Sequence, residues 1–133
     1  MSRTTRVRKR AEFDRIQKGG ARVSTRTFVL IVAGRRDRQP ARLGITASRK
    51  IGGAVTRNRA KRLVREAFRV TKDLFPAGID LVVIVRKPPE DMKTADVVAE
   101  WRSAAQKLAS RIAEELLACE SPDAVQRLTS KGP

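Results

Sequence analysis

The stretch Arg57 to Arg69, RNRAKRLVREAFR, decides both how this chain packs and what surface it presents. Wound as a helix at about 100° per residue, it splits into two faces. Ala60, Leu63, Val64, Ala67, Phe68 and the following Thr71 gather on one side. Asn58, Arg62, Arg65 and Arg69 gather on the opposite side, flanked by Arg59 and Lys61. The apolar side can dock on a sheet. The basic side then shows a row of guanidinium groups, whose planar forks suit bidentate bonds to phosphate. An ordinary solvated face would intersperse glutamates for i,i+4 pairing, and only Glu66 lies within this run. Like charges at this density cost stability unless a polyanion neutralises them.

Upstream, Ser48-Arg49-Lys50-Ile51-Gly52-Gly53-Ala54-Val55 sets two cations before paired glycines at the helix entry. Glycines let a backbone approach an anion, and a helix N-terminus adds its dipole. No GK[ST] follows, so this is not a Walker loop, and a tight structural turn explains these residues equally well. Thr56 reads as the N-cap of a helix reaching about Leu74, closed by Pro76 and Gly78.

Further out, Thr27 to Ala33 (TFVLIVA) and Arg42 to Ala47 (RLGITA) read as strands, expected to pair as a hairpin across the turn holding Arg35, Arg36 and Arg38. Ile79 to Val85 (IDLVVIV) is nearly continuous in apolar residues, which fits a strand in mid-sheet buried on both faces. Phe13 and Ile16 suit a short helix over Ala11 to Lys18, ended by Gly19-Gly20. Val98, Trp101, Ala105, Leu108, Ile112 and Leu116 recur at spacings of three and four, predicting one long helix from about Thr94 to Cys119. Residues 1–10 read as a flexible basic arm, 11–119 as a single α+β domain, and 120–133 as a disordered tail.

Composition sharpens the picture. The 133 residues hold 30 Lys+Arg, 14 Asp+Glu and no His, a net charge of +16. Residues 1–70 carry +17 and residues 71–133 carry −1. A polyanion is the natural partner of so asymmetric a chain. No apolar run approaches a membrane span, and no apolar segment follows the basic N-terminus as in a secretory signal. One cysteine, Cys119, and no His exclude an internal disulfide, the usual zinc sets and a Ser-His-Asp group.

The run GITASRKIGGAVTRNRAKRLVREAFR resembles the signature of the bacterial ribonuclease P protein subunit family. Phe13, TFVLIVA and IDLVVIVRK fall in the family's order, and the resemblance covers roughly residues 6 to 112. It implies a single mixed four-stranded sheet packed with helices, in the order α-β-β-(β)-α-β-α. A left-handed βαβ crossover is implied as well, the ribosomal protein S5 domain 2-like arrangement. General topology rules alone would predict a right-handed one.

The resemblance further implies a cytoplasmic ribonucleoprotein in which the catalyst is an RNA with magnesium ions. The protein would bind this catalytic RNA subunit and the 5′ leader of precursor tRNA, and the holoenzyme would hydrolyse a phosphodiester to release mature 5′ ends. Arg57, Asn58, Arg59, Lys61, Arg62 and Arg65 match the family's RNA-contacting motif, with Arg69 one turn further along the same face. Arg49 and Lys50 match its basic pair. Phe13 matches an aromatic lining the leader cleft. Gln17 stands where some members carry a second ring, and Ile31 where some carry tyrosine. Val29 and Ile31 alternate onto one strand face, away from Phe28 and Leu30, and are assigned to the cleft with Thr46 and Ser48. Fewer rings mean less base stacking and more reliance on charge and apolar contact.

Trp101, Phe28 and Phe68 read as core. Asp80 reads as a strand-edge or pairing group, not a catalytic acid. The basic half holds only Glu12, Asp14, Asp37 and Glu66, so magnesium is expected on RNA phosphates, with none bound tightly by the protein. A non-catalytic ribosomal or RNA-chaperone protein is the alternative. A DNA regulator is disfavoured, because no short helix and turn precede the basic helix at helix-turn-helix spacing.

Overall fold

A computed structural model of the chain describes residues 10–35, 37–89 and 91–120. The expected arm and tail lie outside these residues, apart from Arg10 and Glu120, each of which is the end residue of a helix.

The two most apolar runs form the two central strands. β2 (Phe28–Gly34) and β4 (Ile79–Val85) pair antiparallel, with Leu30 opposite Val83 and Val32 opposite Leu81. β1 (Ala21–Ser24) adds to the outer edge of β2, and β3 (Arg42–Thr46) pairs parallel to β4, giving the order β1-β2-β4-β3. The sheet is mixed and four-stranded, within an α+β fold.

The expected hairpin between β2 and β3 does not form, because β4 lies between them. β4 is apolar on both faces and gains most from a central place, which displaces β3 to the edge. The unplaced fourth strand is β1, whose sequence ARVS carries little strand signal of its own and is extended by pairing with β2.

Two helical layers cover the sheet. α1 (Arg10–Gly19) lies on one face, where Ile16, Ile31, Ala33 and Val82 form a small core joined by Phe13, Val29 and Ile84. The chain turns from α1 into β1 at Gly20, where a Cβ would sit 2.6 Å from the Ile16 carbonyl and 2.8 Å from that of Val32. Only glycine admits so close an approach.

The other face carries the main core with α2 (Ala54–Val70), α3 (Thr94–Ser103) and α4 (Ala105–Glu120). Trp101 is fully buried there, with the rings of Phe28 and Phe75 meeting it edge-on at 6.1 Å. Phe68 packs on Phe75. Each such side chain stabilises the fold by about 1.5–3 kcal/mol relative to exposure.

Two helix boundaries differ from the expectation. α2 is capped by Gly53 rather than Thr56 and stops at Val70, followed by a 3-10 turn at Lys72–Leu74. The expected long C-terminal helix is two helices, broken at Ala104. The break lets α3 pack on α2 while α4 lies on β1 and β2. Its apolar stripe runs through Val97 and Trp101, then Leu108 and Ile112, leaving Val98 and Ala105 only half-buried. Among the described residues no helix is long and apolar enough to cross a membrane.

Candidate nucleic-acid interface

α2 forms as its periodicity predicts. Ala60, Leu63, Val64, Ala67 and Phe68 are buried, while Asn58, Arg62, Arg65 and Arg69 are exposed on the far side. Lys61 and Arg57 flank that side half-buried, and the Arg57 Nε is enclosed without a hydrogen-bond partner in the described structure. Arg59 is exposed and donates from Nη2 to the Met92 carbonyl at 3.1 Å, which ties α2 to the segment leading into α3. Arg69 is not wholly open charge, since it pairs with Glu66 at 2.9 Å. Arg62 and Arg65 form no ion pair with any described residue. They are the open centre of the face.

The entry to α2 adds to this potential. Arg49, Lys50 and Ile51 form a 3-10 turn with both cations exposed. Gly52 follows at φ 146°, a conformation that disfavours other residues, and a Cβ there would press within 3.1 Å of Thr56. Gly53 caps the helix with no side-chain bond, and the first turn holds no acid. The positive end of the helix dipole is therefore left uncompensated beside Arg49, Lys50 and Arg57.

A second surface lies on the α1 face of the sheet. Strand register places Ser24, Val29, Ile84 and Thr46 in one row across all four strands. The row spans about 14 Å at the usual inter-strand spacing. Val29, Ile84 and Thr46 are half-buried and Ser24 is exposed, so the row is an open floor. α1 covers the rows below it and supplies a wall, where Phe13 and Gln17 are half-buried. Ser48 is exposed just beyond Thr46 and leads into the loop to α2.

The structure thus brings Phe13, Val29 and Thr46 to one cleft, but Ile31 is fully buried beneath α1 beside Ile16 and does not line its surface. Sequence reading missed Ile84 and Ser24, whose place follows from register across strands distant in sequence. The cleft and the α2 face are distinct surfaces, joined through residues 47–53.

Arg35, in the turn that holds Arg35, Arg36 and Arg38, points inward. Its side chain is 8% exposed and donates to the carbonyls of Gln39 (2.8 Å), Pro40 (2.9 Å) and Ile79 (3.0 Å), and to Asp80. It also holds the exposed Asp37 carboxyl below its usual range by hydrogen bonding. Arg36 lies outside the described residues. Among the described residues no three His, Cys, Asp or Glu side chains are grouped so as to hold a metal ion.

Comparison with known proteins agrees with this architecture. The model of the Ribonuclease P family matches residues 1–109. The ribonuclease P protein component of Syntrophus aciditrophicus is 43% identical over 100 residues, covering 75% of this chain and 83% of that one. The component from Staphylococcus epidermidis is 42% identical over 97 residues, covering 73% and 84%. The solved RNase P protein of Staphylococcus aureus superposes with a TM-score of 0.68 at 38% identity, over 81% of this chain and 97% of that one. The Thermotoga maritima protein gives 0.67 at 35%, over 77% and 96%. With sequence and fold in agreement over most of its length, the chain belongs to the ribonuclease P protein component family.

Proposed function

We propose that this protein binds the catalytic RNA subunit of ribonuclease P through α2 and its entry loop, and holds the 5′ leader of precursor tRNA in the cleft between α1 and the sheet. One observation carries the reading: an uncompensated row of Asn58, Arg62 and Arg65 is joined, through Arg49 and Lys50, to an open floor of Val29, Ile84 and Thr46. The first surface suits a folded polyanion. The second suits unpaired bases, which find apolar contact on the floor and one ring at Phe13.

The chain's part in the reaction is to bind and orient. Its cations screen the repulsion between two RNAs, and its cleft fixes the leader relative to the scissile phosphate. Magnesium is assigned to RNA phosphates, with metal-assisted hydrolysis as the chemistry it supplies there. Three carboxylates near the two surfaces are engaged, Glu66 with Arg69, Glu12 with Arg42 and Asp80 with three arginines, while Asp14 stands exposed on α1. That donor set does not fit a magnesium site on the protein. The holoenzyme works where precursor tRNA is made, in the cytoplasm.

Competition binding at fixed salt tests the partner. The cognate catalytic RNA should displace the protein from generic structured RNA and from duplex DNA. Equal affinity for all three would overturn the reading and favour an RNA-chaperone role.

A further inference from the structure

We propose that Val55, together with Asn58, reads one unpaired nucleobase of the catalytic RNA: the valine packs on the face of the base and the amide bonds its edge. The inference rests on the catalytic-RNA reading above. It gives the α2 face a point of base recognition, which its arginines do not supply by meeting phosphates alone.

Val55 is out of place on a polar face. It is 84% exposed, against 45% and 48% for Val70 and Leu117, the other large exposed apolar side chains among the described residues. It belongs to neither apolar core. Val55, Asn58, Arg62, Arg65 and Arg69 follow one another at spacings of three and four, so the valine heads the basic stripe itself. The fold gains nothing from it there. A partner that covers it gains apolar burial.

The surroundings set the chemistry of that partner. Arg49 and Lys50 precede Val55, Asn58 and Arg62 follow it, and the first turn of α2 holds no acid. An apolar protein surface laid here would strip water from these cations and return no bond to them. A nucleotide brings an apolar base face and a phosphate together. Gly52, Gly53 and Ala54 add little bulk beside the valine, and a Cβ at Gly53 would meet nothing within 4 Å. A flat ring can lie on Val55 unobstructed. Bases stacked in a duplex hide their faces, so the base is an unpaired one.

Asn58 stands one turn further on, where Cβ atoms at i and i+3 lie about 5–6 Å apart. Helical side chains lean toward the N-terminus, which tips the amide over the turn holding Val55. The amide is exposed and bonds to no described residue. Arginine and lysine only donate, whereas an amide both donates and accepts and so can tell one base edge from another. The pair lies on the α2 stripe, not on the cleft floor, which assigns the base to the catalytic RNA.

The test is binding of the full chain to the cognate catalytic RNA alone, without substrate, over a range of salt. Val55→Ala should weaken binding about tenfold, the worth of two buried methyl groups, and Val55→Leu should keep most of the affinity. The log–log salt slope should hold its wild-type value, since an apolar contact releases no counterion. Val55→Ala with Asn58→Ala should lose less than the product of the two single losses, because both act on one base. That base should be shielded from chemical modification by the wild type and reactive again with Val55→Ala. Wild-type affinity in Val55→Ala overturns the inference. A loss with a flatter slope also overturns it, by tracing the effect to the cations, and losses that multiply overturn the shared base. A loss seen only with leader-bearing substrate overturns it by giving the base to the leader. A wild type that binds the cognate RNA no more tightly than generic RNA overturns the functional reading itself.

Discussion

Asp80 and Arg42 sit opposite each other on paired strands, and the Arg42 guanidinium donates from Nε and Nη2 to the two oxygens of the buried Asp80 carboxylate, each at 2.8 Å. Arg35 reaches the same carboxylate from the end of β2, and Arg15 of α1 approaches it at 3.6 Å. Arg42 also meets Glu12 of α1 at 3.4 Å. One buried acid thus fastens α1, the cleft wall, to three strands.

Removing that acid leaves Arg35 buried without its partner. Asp80→Ala should cost about 3–5 kcal/mol, the usual penalty for breaking one side of a buried pair. Urea unfolding measures it. A cost below about 1 kcal/mol would contradict the fastening role. Asp37→Ala, at an exposed carboxylate, should cost far less.

Arg62→Ala with Arg65→Ala removes the open centre of the α2 face and touches no buried contact. Binding to the catalytic RNA should weaken, and the log–log salt slope should flatten by about 1.4–1.8 for two lost phosphate contacts. Circular dichroism should be unchanged. An unaltered slope would remove this face from the interface.

Phe13→Leu keeps apolar bulk against Ile16 and removes the ring. Affinity should fall by up to about 1–3 kcal/mol for substrates with a leader, the range for one stacked base, and stay constant for mature tRNA. Parallel losses on both would mean that Phe13 acts only as packing.

Glu115 on α4 titrates above its ordinary 4.5, because burial disfavours its charge and Glu114 repels it. The folded state then binds more protons than the unfolded state between pH 4.5 and the raised value. Stability contributed by this group is present below that window and is lost as pH rises through it. Glu115→Gln should abolish that loss, which urea unfolding from pH 4 to 7 would reveal. An identical pH profile for both proteins would contradict it.

What was legible in the sequence follows its local signals. α2 is written in thirteen residues of unambiguous period, and β4 in an unbroken apolar run, so both the basic face and the central strand could be read directly. β1 could not, since ARVS becomes a strand only by pairing with β2. The break at Ala104 has neither glycine nor proline to mark it, and arises because α3 and α4 have different packing partners. The expected hairpin failed because local adjacency is a weaker constraint than the burial of β4. The cleft was half legible: alternation found Val29, but Ile84 and Ser24 need a register across four strands, and the burial of Ile31 needs α1 above it. Arg35 could be read only as one of three arginines in a polar turn, since nothing local reveals a carboxylate 45 residues away.

Cleavage of precursor tRNA by the cognate catalytic RNA at low magnesium, with and without this protein, tests the central claim most directly. The account predicts faster leader removal and tighter substrate binding when the protein is added, with the gain reduced by Arg62→Ala/Arg65→Ala and by Phe13→Leu. A protein that changes neither rate nor substrate affinity would contradict it.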